Sequence, residues 1–274
     1  MIYAEPRYMR GGDQFFIMEI GNDMSLRSNC YVLELGRATK MANLKGVNNV
    51  VPTWRSLMIQ YDQFEISYHD LKKEMGKIKN IVKNISKISS RIIHVPIIYG
   101  GKWGPDFSAT AEYNDVSEKE AKKLHYSELQ WVGLVGFVPG HPFIRPLKTG
   151  KKLHGKIYDS PRTYTPEGTV GLGGITTTVY TVAIPGGYAM IGYVPTPLYD
   201  PFQLLPDFQK TVILLRPGDR IKFVPCEIDE FDLIRQKARE RIYKFTIDEG
   251  IFNLDEWEKK EKNNNEKSMQ PHKK

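Results

Sequence analysis

Three stretches between Gly136 and Tyr193 concentrate glycine and proline at the points where apolar strand candidates end, and they constrain the fold more than any other feature. They cover residues 136–143, 160–174 and 184–193. Glycine permits positive φ angles and close backbone approach, whereas proline fixes φ and removes a hydrogen-bond donor. Apolar strands punctuated in this way turn tight corners, as a small closed β-barrel requires. The pattern predicts a barrel, and some of its glycines are candidates for backbone contact with a ligand.

The composition narrows the class of protein. The 274 residues are 41% apolar, enough for the cores of one or two domains. The net charge of +7 is spread thinly, without the basic and aromatic interleaving of a nucleic-acid groove. Cys30 and Cys226 match no zinc spacing and predict free thiols, which suit a reducing cytoplasm. Residues 1–12 show no apolar signal segment and no stretch reaches the length of a membrane span, so we expect a cytoplasmic protein.

The first hundred residues alternate between strand and helix patterns. Strands are predicted at 14–20, 47–51, 56–61 and 91–99, with helices that begin at Ser28 and Ser67. In the second helix apolar residues recur at steps of three and four, opposite a lysine-rich face. The order β-α-β-β-α-β is that of a ferredoxin-like split βαβ unit, so residues 1–99 are predicted to form one α+β domain.

The rest of the chain divides into four segments. Residues 100–128 form a helical connector, in which Ser117 and Glu120 have the spacing of a capping box. Residues 129–225 carry the barrel strands, predicted at 129–137, 169–172, 176–183, 188–193, 211–214 and 220–224. A helical extension follows at 226–258. The tail at 259–274 is charged and rich in asparagine, which predicts disorder.

Four glycine-proline motifs occur in an order that resembles one family. They are Gly136-Phe137-Val138-Pro139-Gly140-His141-Pro142-Phe143, Pro161-Arg162 followed by Pro166 to Gly174, Pro185-Gly186-Gly187-Tyr188, and Pro217-Gly218-Asp219. This order is similar to the carboxyltransferase C/D-domain family, which includes allophanate hydrolase subunit 1, the B subunit of 5-oxoprolinase and the kinase inhibitor KipI. The resemblance runs from about Asp13 to Pro225 and implies that the barrel is cyclophilin-like.

The resemblance also implies a function. It suggests a subunit of an ATP-dependent amide-hydrolysing complex, most often 5-oxoprolinase, which opens 5-oxoproline to glutamate. The partner would be an A/B-type carboxyltransferase subunit like allophanate hydrolase subunit 2 or the C subunit of 5-oxoprolinase, and ATP would bind with or on that partner. The sequence has no A-M-K-M biotin-attachment site, so any biotin would come from elsewhere. The alternatives are a KipI-like inhibitor of a histidine kinase, a small-ligand binding protein or, on fold analogy alone, a peptidyl-prolyl isomerase.

The candidate catalytic residues are His125, His141 and Glu167. His125 ends the connector and His141 lies within Pro-Gly-His-Pro, and a histidine with a near-neutral pKa can exchange protons. A structural or solvated role is the alternative for both. Asp106, after Gly104-Pro105, is predicted as the first residue of a helix, with a site role as the alternative.

Arg145 and Arg162 are the candidate anion-binding side chains, because a guanidinium presents a planar fork of donors to a carboxylate or phosphate. The alternative is a salt bridge from Glu167 that holds two loops together. Backbone N–H groups of paired glycines can also cradle an anion. The other candidate contact residues are Gly140, Thr169, Gly173, Gly174, Tyr180, Gly186, Gly187 and Tyr188.

Several positions depart from the family's usual pattern. His141 stands where an aromatic residue is common, Ile175 where glutamine is common, Tyr188 where tryptophan is common and Tyr193 where arginine is common. There is no P-loop, nucleophile-elbow or zinc motif. We expect an enzyme subunit to bring Arg145, Arg162 and Glu167 together at a pocket, and an interaction protein to show an exposed apolar patch instead.

Overall fold

A computed structural model describes residues 1–82, 85–147 and 150–269, and the chain forms two compact units. The first comprises Met1–Ser89 and Ile251–Trp257, and the second comprises Ser90–Gly250 and the chain from Glu258. The strands are β1 (Ile2–Gly11), β2 (Phe15–Gly21), β3 (Val47–Pro52), β4 (Ser56–Tyr61), β5 (Lys87–Ser89), β6 (Ile92–Tyr99), β7 (Gln130–Val135), β8 (Pro142–Pro146), β9 (Ile157–Thr165), β10 (Thr169–Gly173), β11 (Thr176–Val179), β12 (Ile184–Tyr193), β13 (Arg220–Pro225), β14 (Ile247–Asp248) and β15 (Ile251–Asn253). The helices are α1 (Leu26–Ala42), α2 (Tyr68–Ile81), α3 (Phe107–Tyr113), α4 (Glu118–Tyr126), α5 (Ile228–Arg239) and α6 (Leu254–Met269).

The first unit contains an antiparallel sheet in the order β1-β2-β4-β3, with α1 and α2 contributing to its core. Buried side chains alternate along β2 and β4, and Phe16 lies opposite Ile59. The core is formed mainly by Phe16, Met18, Ile20, Val32, Leu35, Leu57, Ile59, Leu71, Met75 and Ile78. A separate two-stranded sheet pairs β5 with β15.

The strand predicted at 91–99 is present as β6, but its assignment to the first unit is wrong. Strand β6 belongs to the sheet of the second unit, and the N-terminal strand β1 pairs with β2 instead. The first segment of the first unit therefore ends at Ser89 and not at residue 99. The reason is visible in the packing: Ile93, Val95 and Ile97 share one face of β6, are all fully buried and belong to the apolar core of the second unit. Strand β1 is mostly exposed and carries little apolar alternation.

Serine side chains cap three helices. Ser67 caps α2 and Ser117 caps α4, as predicted, because each accepts a hydrogen bond from the backbone N–H three residues on. Helix α1 begins earlier than predicted. Its cap is Ser25, whose hydroxyl accepts from the N–H of Ser28 at 3.1 Å, so Ser28 lies inside the helix.

The second unit is built on a sheet in the order β14-β6-β13-β7-β8-β11-β10-β12-β9. An additional pairing of β6 with β12 closes the strands from β6 to β12 in this order into a ring, as the glycine-proline pattern predicted. Strands β6 and β13 run parallel, with Phe223 beside Val95. The interior is apolar, formed largely by Ile93, Val95, Ile97, Val132, Ile144, Val170, Leu172, Val179, Ile191, Ile221 and Phe223.

The helical extension predicted at 226–258 is present only in part, as α5, which buries Phe231, and as the beginning of α6. Between these helices the chain forms the short strands β14 and β15, which pair with β6 and β5 respectively. The predicted disorder of 259–274 is wrong as far as Met269, because α6 extends to that residue. Lysine and glutamate are good helix formers, so a charged segment without glycine or proline can continue a helix that begins at the buried Leu254. The remainder, 270–274, lies outside the described residues. No helix in the described part of the chain is long and apolar enough to cross a membrane.

Candidate functional site

A tight turn places His141 at the start of β8. The N–H of His141 donates to the carbonyl of Val138 at 3.2 Å, which closes a four-residue turn through Pro139 and Gly140. Gly140 has a φ of 72°, a left-handed value that glycine adopts without strain. Pro139 fixes the preceding φ, so the Pro-Gly pair has the order that a type II turn requires. The motif therefore serves to direct the histidine side chain.

His141 is buried, with 4% of its surface exposed. Its Nε2 lies 2.8 Å from the hydroxyl of Thr178, and that hydroxyl lies 2.7 Å from the carbonyl of Pro142. A carbonyl oxygen can only accept, so the Thr178 hydroxyl donates its one hydrogen to the carbonyl of Pro142. The Nε2–H group of His141 therefore donates to the Thr178 oxygen. Nδ1 then carries the lone pair, and it has no hydrogen-bond partner among the described residues. Burial lowers the pKa of His141 to about 4, so the ring is neutral near pH 7.

His141 lies in a groove of about 370 Å³ on the second unit. The lining residues are mostly aromatic rings, prolines and glycines: Phe137, His141, Phe143, Pro161, Thr178, Tyr180, Pro185, Gly186, Gly187 and Tyr188. The imidazole meets the rings of Phe143 and Tyr180 edge to face, each at a centroid distance of 5.3 Å. Phe137 stands at the rim, 80% exposed and with a φ of 75° that is unusual for a bulky residue.

The glycines of the second and third motifs make room for the two tyrosines. A Cβ on Gly173 would lie 2.5 Å from the Tyr188 ring, and one on Gly171 would lie 2.9 Å from the Tyr180 ring. A Cβ on Gly186 would collide with the Tyr180 hydroxyl. Close ring packing, and not anion binding, therefore explains the glycine at these positions.

The predicted anion cradle at Gly173-Gly174 is not formed as expected. The N–H of Gly174 donates to the carbonyl of Gly155 at 2.9 Å, so it is already used. Gly186 and Gly187 do line the groove. Gly140 lies in the turn before His141. Thr169 is buried, and its carbonyl accepts from the N–H of Tyr180.

The arginines do not line the groove, and the predicted partner of Arg162 is wrong. Arg162 donates to the carbonyl of Tyr188, and its Nη1 lies 3.4 Å from the carboxylate of Asp106, not of Glu167. Asp106 precedes α3 as predicted, but its carboxylate also accepts from the N–H of Met190 at 2.7 Å. It therefore ties the α3 region to β12.

Each arginine nevertheless acts on a tyrosine of the groove wall. The charge of Arg145 favours ionisation of Tyr188, and that of Arg162 favours ionisation of Tyr180, although burial outweighs both and raises the pKa of each phenol. Burial also lowers the pKa of Arg145, whose Nε lies 3.4 Å from the Thr176 hydroxyl.

Glu167 and His125 lie elsewhere. Glu167 lines a second cavity of about 80 Å³, which shares Tyr180 with the groove, and desolvation raises its pKa. His125 is in the core, with Nδ1 2.7 Å from the Tyr99 hydroxyl and Nε2 3.0 Å from the Thr177 hydroxyl. Arg145, Arg162 and Glu167 thus do not meet at one pocket. No cluster of metal-ligating side chains occurs in the part of the chain that the structure describes.

Sequence reasoning missed several groove residues. Phe137 and Phe143 could have been predicted, because they flank His141 in the same motif. Pro161 and Pro185 also belong to the motifs, but they were interpreted as corner residues. Thr178 carries no local signal, since only the pairing of β11 with β8 brings it to His141.

Comparison with known proteins identifies the relatives of the chain. The family model for "Carboxyltransferase domain, subdomain C and D" matches residues 6–208. The B subunit of Bacillus subtilis 5-oxoprolinase is 27% identical over 237 residues, which cover 83% of this chain and 95% of that protein. The B subunit of the Escherichia coli O157:H7 5-oxoprolinase is 42% identical over 136 residues, half of this chain and 59% of the relative.

The fold also matches part of a larger solved protein. The crystal structure of Kluyveromyces lactis urea carboxylase superimposes with a TM-score of 0.83 at 21% identity. The match covers 97% of this chain but only 26% of the urea carboxylase chain. At this identity the likeness establishes the fold and not the activity.

Proposed function

Because the chain belongs to the carboxyltransferase domain family of subdomains C and D, we propose that it is a subunit of an ATP-dependent amide-hydrolysing complex, specifically the B subunit of a 5-oxoprolinase. The observation that carries this proposal is the match to the B subunit of Bacillus subtilis 5-oxoprolinase, which extends over 95% of that protein. The complex would open 5-oxoproline to glutamate: water adds across the lactam C–N bond while ATP is hydrolysed.

The strand orders support a finer description of the two units. In the first, β1 occupies the edge that the last strand of a βαββαβ unit would fill, which supports a permuted ferredoxin-like arrangement. In the second, the closed ring of strands supports a cyclophilin-like barrel.

ATP binding is assigned to the partner, an A/B-type carboxyltransferase subunit similar to the C subunit of 5-oxoprolinase. The groove does not fit a triphosphate, because no lysine or arginine is among its lining residues and the sequence has no P-loop. Biotin is not expected on this chain, and the cytoplasmic location remains a prediction.

The KipI-like inhibitor and the free-standing binding protein are less well supported. An apolar groove and separated arginines do meet the expectation for an interaction protein. However, the three relatives described above are named as subunits of an oxoprolinase or as a urea carboxylase, and none as a kinase inhibitor. The enzyme proposal therefore rests on family membership and not on the arginines.

Reconstitution tests the proposal. The chain alone should show no ATP-dependent formation of glutamate from 5-oxoproline, and it should co-elute with an A/B-type subunit on gel filtration. The mixture should form glutamate and ADP together, and omission of ATP or of either subunit is the control. Robust hydrolysis by the isolated chain, or an inactive mixture that forms a stable complex, would contradict the proposal.

A further inference from the structure

At two of the places where the chain passes between the units, its segments lie side by side. The chain leaves the first unit after Ser89 and returns to it at Ile251. Just beyond these points, in the second unit, the N–H of Ser90 donates to the carbonyl of Gly250 at 2.9 Å. The two connections are therefore neighbours, although most of the second unit separates them in sequence.

The same two segments of chain pair with each other inside each unit. In the first unit β15 runs antiparallel to β5, with Phe252 opposite Ile88, and both side chains are buried. In the second unit β14 runs antiparallel to β6, with Ile247 opposite Ile93. The stretch that links the units is thus accompanied on both sides by the C-terminal segment.

Buried side chains anchor both ends of this C-terminal segment. Phe245 belongs to the core of the second unit, and its N–H donates to the Asp207 carboxylate at 2.7 Å. Leu254 is fully buried, and its N–H donates to the carbonyl of Ser86 in the first unit at 2.8 Å. An isolated pair of short strands is marginally stable in water, so the anchors decide whether the pairing persists. Because the strands between them are extended, the segment has little slack.

We propose that residues 245–254 form a strap that couples the local unfolding of the linker, residues 87–93, in one unit to its unfolding in the other. When the ring of Phe252 leaves its place, Ile88 loses its cross-strand neighbour, and the strap has too little slack to keep its hydrogen bond to Ser90. Contiguous segments of this kind open as one cooperative unit. The strap therefore stiffens the linker while it is closed and frees it in both units when it opens.

Hydrogen exchange, measured amide by amide on the full-length chain by NMR, tests this coupling. The N–H groups of Ser90 and His94 lie in the second unit, and they donate to the strap carbonyls of Gly250 and Thr246. Phe252→Ala removes a buried ring from the first unit, so both amides should exchange at least about tenfold faster than in the wild type.

Two comparisons separate a coupled strap from a general loss of stability. Ile251→Ala is the matched control, because Ile251 lies on the same strand but is 67% exposed, and its effect on these rates should stay within about threefold. The N–H of Val132 on β7 donates to the carbonyl of Asp219, away from the strap. It should keep its wild-type exchange rate in both variants.

Limited digestion with trypsin gives an independent measurement, since the linker has a cleavage site after Lys87. The Lys87–Ile88 bond should be cut at least about tenfold faster in Phe252→Ala than in Ile251→Ala. Phe252→Leu retains an apolar side chain, so it should show smaller increases at the same positions. It replaces the alanine variant in both measurements if that variant does not fold.

Three results would overturn the strap. Faster exchange confined to the first unit, with Ser90 and His94 unchanged, would show that the two sides open independently. Equal rates in the Phe252 and Ile251 variants would show that the buried ring does not hold the segment. An equal rise at Val132 would show global unfolding instead of local opening. None of these results bears on the proposed function, because the measurements need neither a substrate nor a partner.

Discussion

Acid should destabilise the second unit through His141. In the unfolded chain the imidazole binds a proton below its ordinary pKa of 6.5, whereas in the folded chain the pKa is about 4. Between these values the unfolded state holds more protons, so the free energy of unfolding falls as the pH decreases. The shift corresponds to roughly 3–4 kcal/mol at most, since one pKa unit is worth about 1.4 kcal/mol. Because the side chain is only 4% exposed, little solvent screening reduces this value.

Neighbouring groups do not change charge in the same window. The titratable side chains that line the groove with His141 are Tyr180 and Tyr188, and burial raises the pKa of both above 10.0. Thr178, Phe137 and Phe143 do not titrate. The imidazole is therefore the groove residue whose protonation changes between about pH 6.5 and pH 4.

The assay is urea denaturation at about pH 7 and about pH 4.5, with the wild type compared to His141→Phe. The wild type should lose roughly 2–3 kcal/mol more than the variant over this range, and His154→Gln should follow the wild type. Taking the difference between the two proteins cancels the carboxylates that titrate in both. If His141→Phe shows the same pH dependence as the wild type, the inferred burial of a neutral imidazole is wrong.

Two further predictions concern packing and charge. Gly173→Ala should cost about 1–3 kcal/mol because its methyl group would overlap the Tyr188 ring, whereas Gly76→Ala, in an open position on α2, should stabilise by about 0.5–1 kcal/mol. Denaturant midpoints measure both, and equal effects would contradict the packing argument. Asp219→Ala should lower the free energy of unfolding by about 3–5 kcal/mol, because it leaves the Arg91 guanidinium without its carboxylate partner. In the wild type Arg91 donates two hydrogen bonds to Asp219, at 2.6 and 3.0 Å, and both side chains are largely buried. A thermal unfolding scan that places this variant near the wild type would refute it.

The accuracy of the fold prediction depended on how deeply each element is buried. The barrel and the caps of α2 and α4 follow from local patterns, since turns and caps need particular residues at particular positions. Strand β9 was missed because it is mostly exposed and shows no apolar alternation. Strand β8 was missed because it begins and ends with proline, which normally demotes a strand assignment. Assigning β6 to its sheet needed its partners β13 and β12, which are distant in sequence.

A residue of the candidate site was predictable only where one sequence motif contains both that residue and its neighbours in the fold. His141 stood out because it replaces an aromatic residue in a motif that also contains Phe137 and Phe143. The partner of Arg162 was not predictable, since Asp106 lies 56 residues away and reaches it only through the folded barrel. Glu167, considered as a partner for either arginine, lines a different cavity.

The same glycine pattern supported two expectations, and the structure separates them by geometry. A glycine that exposes its N–H to an anion leaves space above the backbone, but the space above Gly171 and Gly173 is filled by tyrosine rings. The glycines therefore flatten the barrel wall so that Tyr180 and Tyr188 can lie against it.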